Sequence, residues 1–220
     1  MNVKDLVRPL PGVRQVSLLR QRLAYTDSAC FWEQNYSQGQ TSGTGSYGTL
    51  AEGKSRFLND LVRQRAVSSV IEFGCGDGNQ LSLADYPSYV GLDVSRTAIG
   101  LCRRRFADDA AKSFFLYDGT CFTDRAGVFT ADLAISLDVV YHLTEDSVFE
   151  TYLRHVFAAG RRLVVVYSTN MERSGTPPHV RHRHFTPWVE ANCPGWTLTG
   201  VTRGPNTERA RADFFVYERS

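Results

Sequence analysis

Glu72-Phe73-Gly74-Cys75-Gly76-Asp77-Gly78 follows directly on Val67-Ser68-Ser69-Val70-Ile71. The first run is rich in β-branched residues and reads as a strand, which the glycines then stop. Glycine lets the backbone turn sharply and lie close to a ligand. A strand that ends in such a loop is the opening of an open α/β sheet, where ligands sit beyond the carboxyl ends of the strands.

Working outward, Ser88-Tyr89-Val90-Gly91-Leu92-Asp93 reads as a second strand. Ser95 is expected to cap a helix whose apolar face is Ala98, Ile99, Cys102 and Phe106. Phe114-Phe115-Leu116-Tyr117 is a third strand and Asp132-Leu133-Ala134-Ile135-Ser136-Leu137 a fourth. Val148, Phe149, Tyr152, Leu153, Val156 and Phe157 mark one face of a helix, with Thr144 expected as its cap, Glu145 and Asp146 in its first turn, and Gly160 just past its end. Leu163-Val164-Val165-Val166-Tyr167 is a fifth strand. Thr186-Pro187 opens a short helix, and Trp196–Val201 and Phe214–Tyr217 read as a terminal antiparallel hairpin. Upstream, a helix is expected from about Tyr47 to Arg65, with Leu50, Phe57, Leu58, Leu61 and Val62 on its apolar face. Strands alternating with helices predict an α/β fold: a Rossmann-like, mostly parallel sheet with helices on both faces. The first five strands are near-continuous apolar runs, as strands covered on both sides should be.

Residues 1–46 show little pattern beyond a short helix suggested by Leu18, Leu19 and Leu23. They are read as an N-terminal arm ending in a lid-like segment, with residues 47–220 as one domain. The stretch 38–48 is rich in Gly, Ser and Thr and reads as a flexible loop, with Ser46 and Tyr47 as candidate cofactor contacts.

The composition is that of a globular protein of 220 residues with 42% hydrophobic and 22% charged residues. No apolar run approaches the roughly 20 residues of a membrane helix, and Met1-Asn2-Val3-Lys4 does not begin a secretion signal, so a cytoplasmic location and no membrane partner are expected. Five scattered cysteines form neither a disulfide framework nor a zinc knuckle. A formal charge of +2, with Arg103-Arg104-Arg105 as the densest basic run, gives no nucleic-acid footprint, and none is expected. A homo-oligomer is left open.

The spacing G-x-G-x-G, with Glu72 inside the strand end, separates two cofactor classes. Dinucleotide sites favour G-x-G-x-x-G facing a pyrophosphate. A carboxylate near the loop opposes a pyrophosphate but suits the cationic sulfonium and amine of S-adenosylmethionine (SAM). Asp93 ends the second strand, about twenty residues beyond the glycines, where an acid holds ribose hydroxyls. Asp118, in Tyr117-Asp118-Gly119, is placed to meet an adenine amino group.

On these pieces, together with 134–143, the chain resembles the class I SAM-dependent methyltransferase family from about residue 47 to 217. The resemblance implies seven strands with the last reversed. It assigns Glu72, Gly74, Cys75, Gly76 and Gly78 to the cofactor loop, Asp93 and Val94 to the ribose, and Asp118 and Gly119 to the adenine. Residues 42–48 and 179–185 are further similar to methyltransferases encoded beside glycosyltransferases in polysaccharide or natural-product clusters. That similarity implies a carbohydrate or glycosylated small molecule, free or oligosaccharide, as the hydroxyl acceptor.

In Leu137-Asp138-Val139-Val140-Tyr141-His142-Leu143, His142 is the candidate general base and acceptor contact. Asp138 would contact the cofactor or orient a catalytic partner, and Tyr141 would line the acceptor pocket. No Asn/Asp-Pro-Pro-aromatic turn stands here, which counts against adenine or amide N-methylation. Arg181 and His182, within His179-Val180-Arg181-His182-Arg183-His184, are candidate acceptor contacts suited to an anionic sugar. The histidine spacing matches no standard metal site; magnesium is compatible with the pattern but not indicated by it. Alternatives are N-methylation of an amino sugar or other amine, a nicotinamide-dependent dehydrogenase, and a SAM-binding module without catalysis.

Overall fold

The computed structural model describes residues 25–205 and 212–220. The helix expected around Leu18, Leu19 and Leu23 lies outside them. Seven strands form one sheet: β1 Val70–Phe73, β2 Tyr89–Asp93, β3 Lys112–Leu116, β4 Ala131–Leu137, β5 Gly160–Ser168, β6 Trp196–Arg203 and β7 Asp213–Arg219. Their order is β3-β2-β1-β4-β5-β7-β6. The first five run parallel, while β7 pairs antiparallel with both β5 and β6. The reversed strand and terminal hairpin are as expected.

Side chains alternate across the sheet and build two cores. On one face Ile71, Phe73, Ala134, Val164 and Val166 meet Phe149, Tyr152, Leu153, Val156 and Phe157 of helix α4 (Asp146–Ala159) and Val189 of α5 (Thr186–Asn192). On the other, Val70, Leu133, Ile135 and Val165 meet Leu58 and Val62 of α2 (Gly48–Gln64) and Ile99 and Cys102 of α3 (Arg96–Arg105). Each buried Val, Leu, Ile or Phe among them contributes about 1.5–3 kcal/mol by leaving water.

Several details differ from expectation. β3 is an edge strand, so Phe115 and Leu116 stay 43% exposed despite their apolar run. Glu145, not Thr144, occupies the N-cap of α4; the Thr144 hydroxyl pairs with Tyr25 and its carbonyl accepts from Arg181 and Arg183. Gly160 does not take a left-handed cap: it is extended (φ −75°) and opens β5. A Cβ there would lie 2.8 Å from Val164 Cγ2, so close packing explains that glycine. The buried face of α2 is Ala51, Lys54, Ser55, Leu58 and Val62, rotated from the predicted stripe so that a lysine and a serine face inward. Residues 28–46 are not a patternless arm: α1 (Ser28–Ser37) is capped by Asp27, whose carboxylate accepts from Cys30 N.

Candidate functional site

The order of strands reverses between β1 and β4, and the loops at their carboxyl ends surround a cavity of about 960 Å³. One end lies over the β1 loop. Gly74 (φ +83°) and Gly76 (φ +58°) adopt backbone conformations that suit glycine, and a Cβ would come within 2.4 Å of Val139 Cγ2 at the first and 2.3 Å of Ser42 Oγ at the second. Both line the cavity with Cys75. Gly78 does not; it faces Cys102 and Phe106 and lets α3 pack against the loop.

Three carboxylates stand at successive strand ends. Glu72 is buried and accepts from Tyr89 Oη at 2.6 Å; burial pushes its pKa up to about 7. Asp93 accepts from Gly76 N and Ser95 N, both at 2.9 Å, and burial pushes it up to about 6. Asp118 is exposed, and hydrogen bonds from the Thr120 hydroxyl and amide hold its carboxyl below the usual range. Val94 and Gly119 complete this end.

The cavity wall also holds Gln80, which sequence patterning missed. Its side-chain nitrogen donates to Ala51 O and Ser55 Oγ, while its oxygen Oε1 is buried without a partner. An unpaired buried carbonyl is costly and fits an ammonium donor. The open backbone cradle of Gly74 and Gly76, the acid at the end of β2 and this orphaned acceptor together fit the methionine chain, ribose and amino group of SAM.

The segment 38–48 is an ordered clasp. Asp77 accepts from Ser42 N (2.9 Å) and Tyr47 Oη (2.8 Å), Asp77 N donates to Ser42 Oγ, and Asn79 Nδ2 donates to Ser46 O. Ser46 lines the cavity; Tyr47 does not, because its hydroxyl serves Asp77.

Beyond β4, Asp138 has φ +60°, a strained geometry for a side chain larger than glycine. It is held by Lys54 Nζ at 2.6 Å, Tyr141 Oη at 2.7 Å, and its own amide on Tyr167 O. Lys54 is 1% exposed and lies over the Tyr167 ring. A buried lysine is tolerated here because it is paired. Its role follows from which face of α2 turns inward, which the apolar pattern of the helix does not mark.

His142 closes the one-turn helix Val140–His142. Its Nδ1 lies 2.9 Å from His179 O, so Nδ1 carries the proton and Nε2 keeps its lone pair. Burial lowers its pKa to about 4. Trp32 meets its ring edge-on at 4.9 Å, and Tyr141 lies 4.6 Å away. Phe31 stacks on His179 at 4.3 Å. Trp32 and Phe31 come from α1, which sequence reading left without a role.

Arg181 and His182 do not reach the cavity. Arg181 donates to Thr144 O and pairs with Asp146; His182 Nδ1 pairs with Thr169 Oγ1. The histidines of 179–184 therefore serve different partners. Among the described residues, no group of three or more His, Cys, Asp or Glu side chains is placed to hold a metal ion.

No protein-family model matches the chain. It is 28% identical over 134 residues, 56% of its length, to the small RNA 2′-O-methyltransferase of Arabidopsis thaliana, and spans 14% of that protein. Its fold matches the N-methyltransferase NodS of Bradyrhizobium japonicum with S-adenosylhomocysteine (SAH), with TM-score 0.67 and 16% identity over 88% of this chain and 99% of that one. Magnesium protoporphyrin IX methyltransferase of Synechocystis, with bound SAM, gives TM-score 0.63 and 16% identity over 90% and 99%. The chain thus has the class I SAM-dependent methyltransferase fold, and the acceptors named for these proteins differ.

Proposed function

We propose that the chain is a SAM-dependent O-methyltransferase acting on a hydroxyl of a carbohydrate or glycosylated small molecule. The observation that carries the reading is the single cavity wall that joins the Gly74–Gly76 cradle and Asp93 to the Nε2 lone pair of His142. The fold it shares with SAM- and SAH-bound methyltransferases supports the cofactor.

When bound, SAM supplies an electrophilic methyl group on a good leaving group. The protein's work is then alignment, which is worth roughly 7–11 kcal/mol when geometry is good, together with removal of the hydroxyl proton. Asp93 would hold the ribose, Asp118 and Gly119 the adenine, and Gln80 the amino group. His142 Nε2 would accept the proton as the new O–C bond forms. A base with a pKa of about 4 suffices, because an alkylating oxygen becomes strongly acidic, and it stays unprotonated at neutral pH. Lys54 and Tyr141 fix Asp138, and Tyr141 in turn packs on His142. Trp32 and Leu143 add apolar surface to the cavity wall.

His142→Ala tests the assignment. Turnover of methyl-labelled SAM with pooled sugars should fall by about 10²-fold or more, while SAH affinity stays unchanged. In the parent protein at saturating SAM, where the bound cation would keep Glu72 and Asp93 ionised, turnover should be flat between neutral and mildly acidic pH and fall only as pH approaches the depressed pKa of His142. A limb near the ordinary histidine pKa, or unchanged turnover in the variant, would remove His142 as the base.

A further inference from the structure

The charge inventory of the cavity is one-sided. Asp27, Glu72, Asp93, Asp118, Asp138 and Glu145 line it, and no lysine or arginine among the described residues does. Lys54 sits behind Asp138 and neutralises that one carboxylate. Arg181, the candidate contact for an anionic sugar, and Arg183 do not line the cavity: both donate to Thr144 O and pair with Asp146, and the remaining Arg183 nitrogens Nε and Nη1 are buried. His142 and His179 add no positive charge, since burial lowers the pKa of each.

The acceptor end has a second feature. Glu145 stands where α1 meets the start of α4. Its Oε1 accepts from Ser28 N at 2.9 Å, while Oε2 is buried and has no partner. Across the same cavity stand Phe31, Trp32, His142 and His179. Aromatic walls beside an unpaired carboxylate oxygen suit a cation, which the ring quadrupoles and the carboxylate both attract. The same surroundings repel a phosphate or carboxylate and offer it no lysine or arginine among the described residues.

We propose, resting on the methyltransferase reading, that the acceptor is a small molecule carrying a protonated amine close to the hydroxyl that is methylated, and bearing no phosphate or carboxylate. The Glu145 carboxylate binds the ammonium, the aromatic wall of α1 covers the ring, and the neighbouring hydroxyl faces His142.

The test uses the intact chain with methyl-labelled SAM and three pools: free amino sugars such as glucosamine and galactosamine, their N-acetylated forms, and anionic acceptors. The anionic pool holds amino-sugar phosphates, nucleotide sugars and a short RNA duplex. Label should enter oxygen in the free-amine pool, about tenfold or more above the other two. Glu145→Gln, which keeps an acceptor for Ser28 N, should raise KM for the labelled amino sugar about tenfold while SAH affinity, measured by calorimetry, is unchanged. Preferential labelling of the N-acetylated or anionic pool, or an unchanged KM in the variant, overturns the proposal. Label on the amine nitrogen overturns the assignment of the hydroxyl as nucleophile. No label in any pool with tight SAH binding overturns the acceptor class and spares the cofactor reading; no SAH binding overturns the cofactor reading itself.

Discussion

Glu72 carries a penalty in the free protein that its chemistry explains. Burial raises its pKa from the ordinary value of 4.5 to about 7, so the folded state binds the proton more tightly than the unfolded chain. Its stabilising contribution is complete below the unfolded pKa and is lost as pH rises through the folded one. Asp93 behaves alike up to about pH 6. The Glu72→Gln variant keeps an oxygen to accept from Tyr89 Oη but carries no charge. Without ligand, it should be more stable than the parent at pH 8 by about 1–3 kcal/mol, with little difference at pH 4. Thermal melts at both values check this; an equal offset at both would show that ionisation of Glu72 is not the cause. Glu72, Asp93 and Asp118 were legible in the sequence because each stands at a recognisable strand end. Lys54, Gln80 and Glu145 were not. Their roles come from which face of α2 turns inward and from a helix that meets α4 across 117 residues of sequence, and no local pattern encodes either.

At the scale of elements, α1 is fastened at two points. Glu33 accepts from Ser95 Oγ (2.6 Å), Thr97 Oγ1 (2.6 Å) and Thr97 N (3.2 Å), so that its carboxylate sits at the N-terminus of α3, where the helix dipole favours it. At the other end Ser28 N holds Glu145 and Tyr25 holds Thr144. Phe31 and Trp32 between them, and Tyr36 one turn beyond Glu33, line the cavity, so α1 forms its cover. Glu33→Ala removes one fastening. Amide hydrogen exchange over residues 28–42 should quicken, SAH should dissociate faster, and global stability should fall by only about 1–2 kcal/mol. Unchanged exchange over α1 would show that the packing of Trp32 and Tyr36, rather than Glu33, holds the helix down. The parallel strands, α3 and the terminal hairpin were readable because their apolar period and punctuation are local. α1 was not, since Ser28–Ser37 has aromatic residues at 31, 32 and 36 without a continuous apolar stripe; its stability is tertiary. The Gly- and Ser-rich loop after it looked flexible for the same reason, while Asp77 in the neighbouring glycine loop pins it.

The whole molecule joins a sheet, read correctly as doubly covered and reversed at its end, to a cavity whose sign could be known only after folding. A formal charge of +2 over the chain gives no hint of a cavity lined by six carboxylates and no described lysine or arginine. Arg181 and Arg183 lie outside that lining and reach the Thr144 carbonyl and Asp146 instead. The same distribution disfavours a pyrophosphate at the β1 loop, where Glu72 and Asp93 face the site without a compensating cation other than the buried Lys54.

Calorimetric titration of the intact chain with SAH, alongside NADH, tests the cofactor assignment on which every role above depends. The account predicts one SAH per chain with micromolar or tighter affinity, weakened about tenfold or more by Asp93→Ala, and no heat from NADH. Binding of NADH with none of SAH would contradict it and place the protein among dinucleotide-dependent enzymes instead.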